Sequence, residues 1–82
     1  MKVQMNTSYL QENGYSLLGE LANYRVYTKK LGRNIVSLGV CLLDYVGFYD
    51  TTIITIDATL AELIAKQLEE KNLTVLSQLI ER

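Results

Sequence analysis

Three stretches in the middle of the chain have the residue pattern of strands in a sheet, and the longest of them alternates between apolar and mostly small residues. They span residues 24–28, 35–43 and 51–56, and all three are rich in β-branched or aromatic residues, which suit a pleated surface. Glycine and asparagine between the first two stretches favour a turn. The pattern therefore predicts a hairpin followed by a third antiparallel strand.

The second of these stretches predicts a central strand with a helix or a partner close above one of its faces. One face is apolar throughout, at Val36, Leu38, Val40 and Leu42. The opposite face is mostly small, at Ile35, Ser37, Gly39 and Cys41. Small side chains allow another element to approach the sheet closely.

The N-terminal part of the chain gives weaker signals. Residues 1–6 alternate weakly and predict a short strand. Residues 8–22 carry leucines at helical spacings, such as Leu17 and Leu21, but an Asn-Gly pair interrupts them at Gly14. We expect a short helical turn, a break at Gly14, and then a helix or an irregular segment up to Ala22.

A helix is predicted to begin near Asp57. Thr59 and Glu62 have the spacing of a capping box, and Asp57 is a rival N-cap. The apolar stripe of this helix is Leu60, Leu63, Ile64 and Leu68. Asn72 either separates it from a second helix, or a single helix continues to the end of the chain. The second helix would carry Leu73, Leu76, Leu79 and Ile80.

These elements predict an α+β fold. A small three-stranded antiparallel sheet, with a short fourth N-terminal strand as an option, combines with a short N-terminal helix and one or two C-terminal helices packed on one face. With 82 residues, 49% of them hydrophobic and 21% charged, residues 1–82 fit a single domain. No apolar run approaches the ~20 residues of a membrane span, and no signal pattern opens the chain. We therefore expect no membrane partner.

The residue types exclude much catalytic chemistry. The chain has no histidine and one cysteine, so His-based triads, Cys–His dyads and the usual zinc sites cannot form within it. Asp44, Asp50 and Asp57 lie near strand ends, where turns and helix caps commonly use aspartate. A lone Cys41 favours a reducing compartment, here the cytoplasm. The sequence predicts no enzyme, cofactor or metal, although an active site shared between two copies stays open.

Two groups of residues predict contact with another protein. One is aromatic, Tyr45, Phe48 and Tyr49, because tyrosine is frequent in binding hot spots. The other is the apolar end of the C-terminal helix, Leu76 and Ile80, which a partner groove or a second copy would cover. The alternative is that both groups belong to the core.

A basic hairpin is the third binding signal. Residues 1–41 carry five cations and two acids, whereas residues 42–82 carry three cations and seven acids. Four cations of the first half surround one turn together with tyrosine: Arg25, Tyr27, Lys29, Lys30 and Arg33. Cations neutralise phosphates or acidic partners, and aromatic rings stack on bases. The alternative is a solvated hairpin tip whose lysines discourage edge pairing.

Several short segments between residues 10 and 45 resemble the N-terminal region of Phd/YefM-type antitoxins. The segments are Leu10-Gln11-Glu12-Asn13, Leu17-Leu18, Glu20-Leu21, Thr28-Lys29-Lys30 and Leu42-Leu43-Asp44-Tyr45. The resemblance implies a dimer that binds operator DNA and wraps a toxin with its C-terminal segment. The chain departs from the family at Gly14, where an apolar residue is usual, and at residues 51–56, a predicted strand where the family continues as helix.

The short chain, the lack of histidine for catalytic or zinc sites, and the candidate contacts together predict a small, non-enzymatic module that binds another protein. Such a module would act as a regulator or inhibitor of a larger partner, and a homodimer is compatible with the same features. The alternative is a dimeric DNA-binding regulator of antitoxin type, supported by the basic hairpin.

Overall fold

Four consecutive strands form an antiparallel meander, and a short N-terminal strand pairs with the last of them. The computed structural model describes residues 2–4, 7–43 and 49–80. In chain order the elements are β1 (Lys2–Gln4), α1 (Thr7–Glu12), β2 (Ser16–Leu21), β3 (Tyr24–Lys30), β4 (Ile35–Leu43), β5 (Tyr49–Asp57), α2 (Ala58–Glu69) and α3 (Thr74–Ile80). The order of the strands across the sheet is β1-β5-β4-β3-β2.

The predicted α+β class and the antiparallel sheet are confirmed. The three predicted strands are β3, β4 and β5, and the short N-terminal strand is β1. β4 is the central strand, with Val40 opposite both Val26 of β3 and Thr52 of β5. Its apolar and small faces therefore point to the two sides of the sheet, as the alternation predicts.

The strand β2 is the element that the sequence did not predict. Residues 16–21 pair with β3, although we expected a helix or an irregular segment there. A β-bulge between Leu17 and Gly19 inserts one extra residue. Leu18 and Leu21 consequently pack against the same core, although they are three residues apart. The bulge thus gives this strand an apolar spacing that is typical of a helix.

The helices cover the two faces of the sheet unequally. α2 and α3 pack on the apolar face of β4, and the buried core there contains Val26, Val36, Leu38, Val40, Ile56, Ala61, Ile64, Leu68 and Leu76. α1 lies on the small face, where Leu10 buries its side chain beside Tyr27 and Cys41. A Cβ added to Gly39 would lie 3.4 Å from Cδ1 of Leu10. This close approach confirms that an element lies above the small face.

Polar side chains fix the beginning of α2 and of α3. Asp57 is the N-cap of α2, because its Oδ1 accepts a hydrogen bond of 2.7 Å from the backbone N–H of Leu60. The predicted capping box at Thr59 is therefore wrong. Asn72 separates α2 from α3, and its Oδ1 accepts hydrogen bonds from the backbone N–H and the hydroxyl of Thr74. The two-helix alternative is thereby confirmed.

Candidate functional site

Several residues predicted as contacts are buried in the core. Tyr27 and Leu76 each expose 2% of their surface. Ile80 is partly buried and packs against the core beneath α2 and α3. The chain's own sheet thus covers the C-terminal apolar stripe, and the ring of Tyr27 has no surface on which a base could stack. Tyr27 and Leu76 are therefore structural residues and not contacts, whereas a contact of the partly buried Ile80 stays a prediction.

The predicted aromatic contact group stays a prediction. Tyr45 and Phe48 lie outside the described residues. Tyr49 is the first residue of β5, where its backbone pairs with Leu43.

The structure divides the predicted basic hairpin between different surfaces. By strand alternation Arg25 and Lys29 lie on the α1 face of the sheet, whereas Lys30 lies on the opposite face. Nε of Arg25 is 3.7 Å from Oε2 of Glu20, so an acid on the neighbouring strand faces this cation. Arg33 lies in the turn between β3 and β4. Lys29, Lys30 and Arg33 therefore remain together at the turn end of the hairpin, while Arg25 lies near the opposite end of β3.

The same end carries large apolar side chains that we did not predict as a site. Leu31 is 54% exposed, Ile35 is 49% exposed and Leu17 is 48% exposed. A hydrogen bond of 2.9 Å from the N–H of Leu31 to the carbonyl of Ile35 closes the hairpin end and holds the two residues opposite each other. Leu17 lies opposite Tyr27, on the face that carries Lys29. We call the surface formed by Leu17, Lys29, Leu31 and Ile35 the hairpin flank.

One signal in the sequence could have revealed this surface. Ile35 is a large residue at the turn end of the small face of β4, four residues from Gly39, over which the buried Leu10 of α1 lies. Leu31 falls in a segment that we interpreted as a turn, where an apolar residue has no obvious place in the core. Two large apolar residues at opposite ends of one tight turn predict an apolar surface beside the turn.

Lys29 is held in place at the middle of the hairpin flank. Its Nζ lies 5.8 Å from the centroid of the Tyr15 ring, within the range of a cation–π interaction. A Cβ added to Gly14 would contact Cε of Lys29 at 3.5 Å, so the aliphatic chain of the lysine runs along this glycine. The hydroxyl of Tyr15 is 2.7 Å from that of Ser37, which is 4% exposed. The ring under the lysine is thus anchored to β4.

The buried thiol of Cys41 is a structural group. Its side chain is completely buried, and the hydroxyl of Thr51 donates a hydrogen bond of 3.4 Å to Sγ. Burial raises the pKa of this thiol, against smaller lowering effects of the hydrogen bond from Thr51 and the charge of Arg25. A protonated, inaccessible thiol is a poor nucleophile.

Two kinds of feature are absent from the part of the chain that the structure describes. In residues 2–4, 7–43 and 49–80, no three histidine, cysteine, aspartate or glutamate residues come together in a way that could hold a metal ion. No helix within these ranges is both long enough and apolar enough to cross a bilayer.

Comparison with known proteins gives no family for this chain: no family model matches it, and no curated protein or solved structure matches it significantly.

Proposed function

We propose that this protein is a non-enzymatic module that binds another protein through the hairpin flank, and that it regulates or inhibits its partner by occupying part of the partner's surface. The observation that carries the proposal is the grouping of Leu17, Leu31 and Ile35, each about half exposed, around Lys29. Single exposed leucines are common on protein surfaces, but a group of them is typical of an interaction site.

Burial of this surface by a partner is energetically favourable. Full burial of a Leu or Ile side chain is worth roughly 1.5–3 kcal/mol, so half-exposed side chains at three positions leave about 2–4 kcal/mol for a partner to gain. Structural neighbours within the described chain do not supply that cover, because α1 covers only the centre of this face around Leu10, Tyr27 and Cys41. The completely buried free thiol of Cys41 also fits a reducing compartment, and we propose the cytoplasm as the site of action.

The proposal is tested by affinity capture with a matched pair of variants. Tagged protein is used to capture partners from a lysate of its native host. Leu31→Ser combined with Ile35→Ser should lose the partner, because two apolar contacts disappear from the hairpin flank. Leu63→Ser should retain it, because Leu63 is similarly exposed, at 43%, but lies on α2 on the other side of the sheet.

Circular dichroism and thermal unfolding establish that both variants fold. Equal recovery of the same proteins by the wild type and the flank variant would refute this site. A third variant, Phe48→Ala with Tyr49→Ala, tests whether the predicted aromatic group contributes to the same interaction.

A DNA-binding regulator is the second candidate, and the exposed cations Lys30 and Arg33 favour it. The buried ring of Tyr27 counts against base stacking in the same hairpin. Capture is therefore repeated after nuclease treatment. Partners that vanish with nuclease, together with DNA binding that weakens in Lys29→Ala/Lys30→Ala, would support this candidate over the protein-binding module.

A further inference from the structure

We propose that the hairpin flank recognises an extended segment of its partner in which an acidic residue stands between two apolar residues. This inference rests on the proposed function and adds the chemistry of the partner to it. The described geometry places apolar side chains at both ends of the flank and a fixed cation between them. The apolar side chains would contact the two apolar residues of the partner segment, and Lys29 would pair with its acid.

The spacing of the flank side chains determines the spacing expected in the partner. Lys29 follows Tyr27, the residue opposite Leu17, by two residues in β3. It precedes Leu31 by two residues. With about 3.3 Å per strand residue and about 4.8 Å between strands, Leu17 and Leu31 are separated by roughly 14 Å. Positions i and i+4 of an extended segment span ~13 Å. The expected pattern is therefore an apolar residue, an acid two residues later, and a second apolar residue two residues after that.

Charge at this end of the molecule favours an acidic partner. Lys29 belongs to the flank, and Lys30 and Arg33 follow within the same hairpin. The described acids on this side of the molecule are Glu20 and Asp57 of the sheet and Glu12 of α1, which packs on the same face. The carboxylate of Asp57, opposite Ile35, accepts a hydrogen bond at the beginning of α2, and Glu20 faces Arg25. At the turn end of the hairpin, Lys29, Lys30 and Arg33 outnumber Asp57, so a carboxylate that approaches this end meets an excess of positive charge.

The position of the apolar residues favours a protein over a membrane. A hairpin that inserts into a bilayer carries its apolar residues at the apex. Here the apex is Gly32, Arg33 and Asn34, and the apolar pair lies behind it on one side. Insertion deep enough to bury Leu31 would also bury the guanidinium of Arg33, which is costly in hydrocarbon.

A second copy of this chain offers a poor counterpart to the flank. Leu63 is a further exposed aliphatic residue of the described chain. Its neighbours on the outer side of α2 are Glu62 and Lys66, whose charges have opposite sign at an i,i+4 spacing and offset each other. Glu69 and the C-cap residue Glu70 are also exposed on α2, but residues two apart on a helix point to different faces. α2 therefore does not present an acid between two apolar residues at the spacing of the flank, and an extended segment of a different protein fits the flank better.

Selection from a library of random linear peptides displayed on phage tests this inference without a known partner. The library is selected on the wild type and depleted on Leu31→Ser/Ile35→Ser. We expect the retained peptides to share an acid flanked at two residues on each side by apolar residues. A synthetic peptide of the retained sequence should bind the wild type and Leu63→Ser equally, as measured by calorimetry.

Lys29→Gln isolates the role of the cation. It should weaken binding of the synthetic peptide roughly fivefold, and the loss should shrink as salt concentration rises. A peptide whose acid is replaced by its amide should bind the wild type about as weakly as the original peptide binds Lys29→Gln. Unchanged affinity in Lys29→Gln would overturn the assignment of the acidic position.

Other outcomes of the selection overturn the inference as well. The inference is wrong if the retained peptides lack an acid, or if no selected peptide depends on the flank for binding. It is also wrong if the flank binds phosphatidylserine vesicles or duplex DNA. The capture experiment separates these failures from failure of the proposed function. If a protein partner depends on the flank while the selected peptides carry no acid, the proposed function stands and the acidic segment is wrong.

Discussion

At the scale of single residues, α1 and α2 end with the same hydrogen-bond pattern but with different residues, Gly14 and Lys71, in the left-handed conformation. After α1, the N–H groups of Gly14 and Tyr15 donate to the carbonyls of Gln11 and Leu10. After α2, Lys71 and Asn72 donate in the same pattern to Leu68 and Gln67. Both ends are Schellman motifs, which require a left-handed residue. Gly14 has φ 88°, whereas the non-glycine Lys71 has φ 58°.

Lys71→Gly is therefore expected to stabilise the protein. Glycine adopts the left-handed conformation without the steric penalty of a Cβ, and the expected gain in the free energy of unfolding is about 1 kcal/mol. Urea unfolding at neutral pH measures it, and Gly14→Ala should show a loss of similar size. A lower urea midpoint for Lys71→Gly would show that the exposed lysine has another stabilising role.

These helix ends also show how far the sequence could be interpreted. The Asn-Gly pair at Gly14 carries the usual signal of a helix end, and the break there was predicted. Lys71 carries no such signal, because lysine is an ordinary helix residue, so the position of the second end was left open at Asn72. The buried Tyr27 and Leu76 were interpreted as contacts because residue type indicates the capacity to bind but not which surfaces the fold leaves open.

At the scale of elements, the contact of α2 with β2 depends on Gly19. A Cβ added to this glycine would lie 3.0 Å from Cδ1 and 3.3 Å from Cβ of Leu68. Leu68 is one of the buried residues of α2. The absence of a side chain at Gly19 thus lets the helix lie close to the edge strand, next to the bulge.

Gly19→Val should destabilise the protein by roughly 1–3 kcal/mol, because its branched side chain must enter the space that Leu68 occupies. Thermal and urea unfolding measure the loss. Gly32→Ala is the control, since nothing lies within 4 Å of a Cβ at Gly32 and it should change stability little.

A double variant checks the stated cause. If the introduced valine side chain and Leu68 compete for space, Leu68→Ala should cost less in the Gly19→Val background than in the wild type. Additive losses would place the strain elsewhere.

The bulge in β2 explains why this element escaped prediction while the others did not. β3, β4 and β5 keep strict alternation, so their faces could be assigned from the sequence. In β2, Leu18 and Leu21 reach one core only because the bulge adds a residue, and the sequence carries no separate sign of a bulge apart from Gly19. The hairpin flank was not predicted for a related reason, since its members come from β2, β3, the turn after β3, and β4, and become neighbours only when the sheet forms.

At the scale of the whole molecule, the buried thiol of Cys41 links stability to pH. The folded protein holds the proton of this thiol more tightly than the unfolded chain, because burial raises its pKa above the ordinary 9.0. The corresponding stabilisation is fully present below pH 9 and is lost as pH rises through the higher pKa of the folded state.

Cys41→Ala separates this effect from the titration of other groups. At neutral pH we expect the variant to be less stable than the wild type by roughly 1 kcal/mol, because a buried sulfur is lost. Above pH 9 the difference in the free energy of unfolding should shrink, since ionisation of the unfolded chain penalises only the wild type. A difference that stays constant from pH 7 to pH 10 would mean that the thiol of the folded state is not protected.

The pairing of β1 with β5 has a consequence for folding during synthesis on the ribosome. Lys2 pairs with Thr52, so β1 needs a partner that is made fifty residues later. At about 5–20 residues per second, this strand waits roughly 3–10 s for its neighbour to be synthesised. The hairpins from β2 to β5 close over short loops and need no such wait. β1 is therefore made before the strand that it pairs with and should be among the last of the described strands to join the sheet.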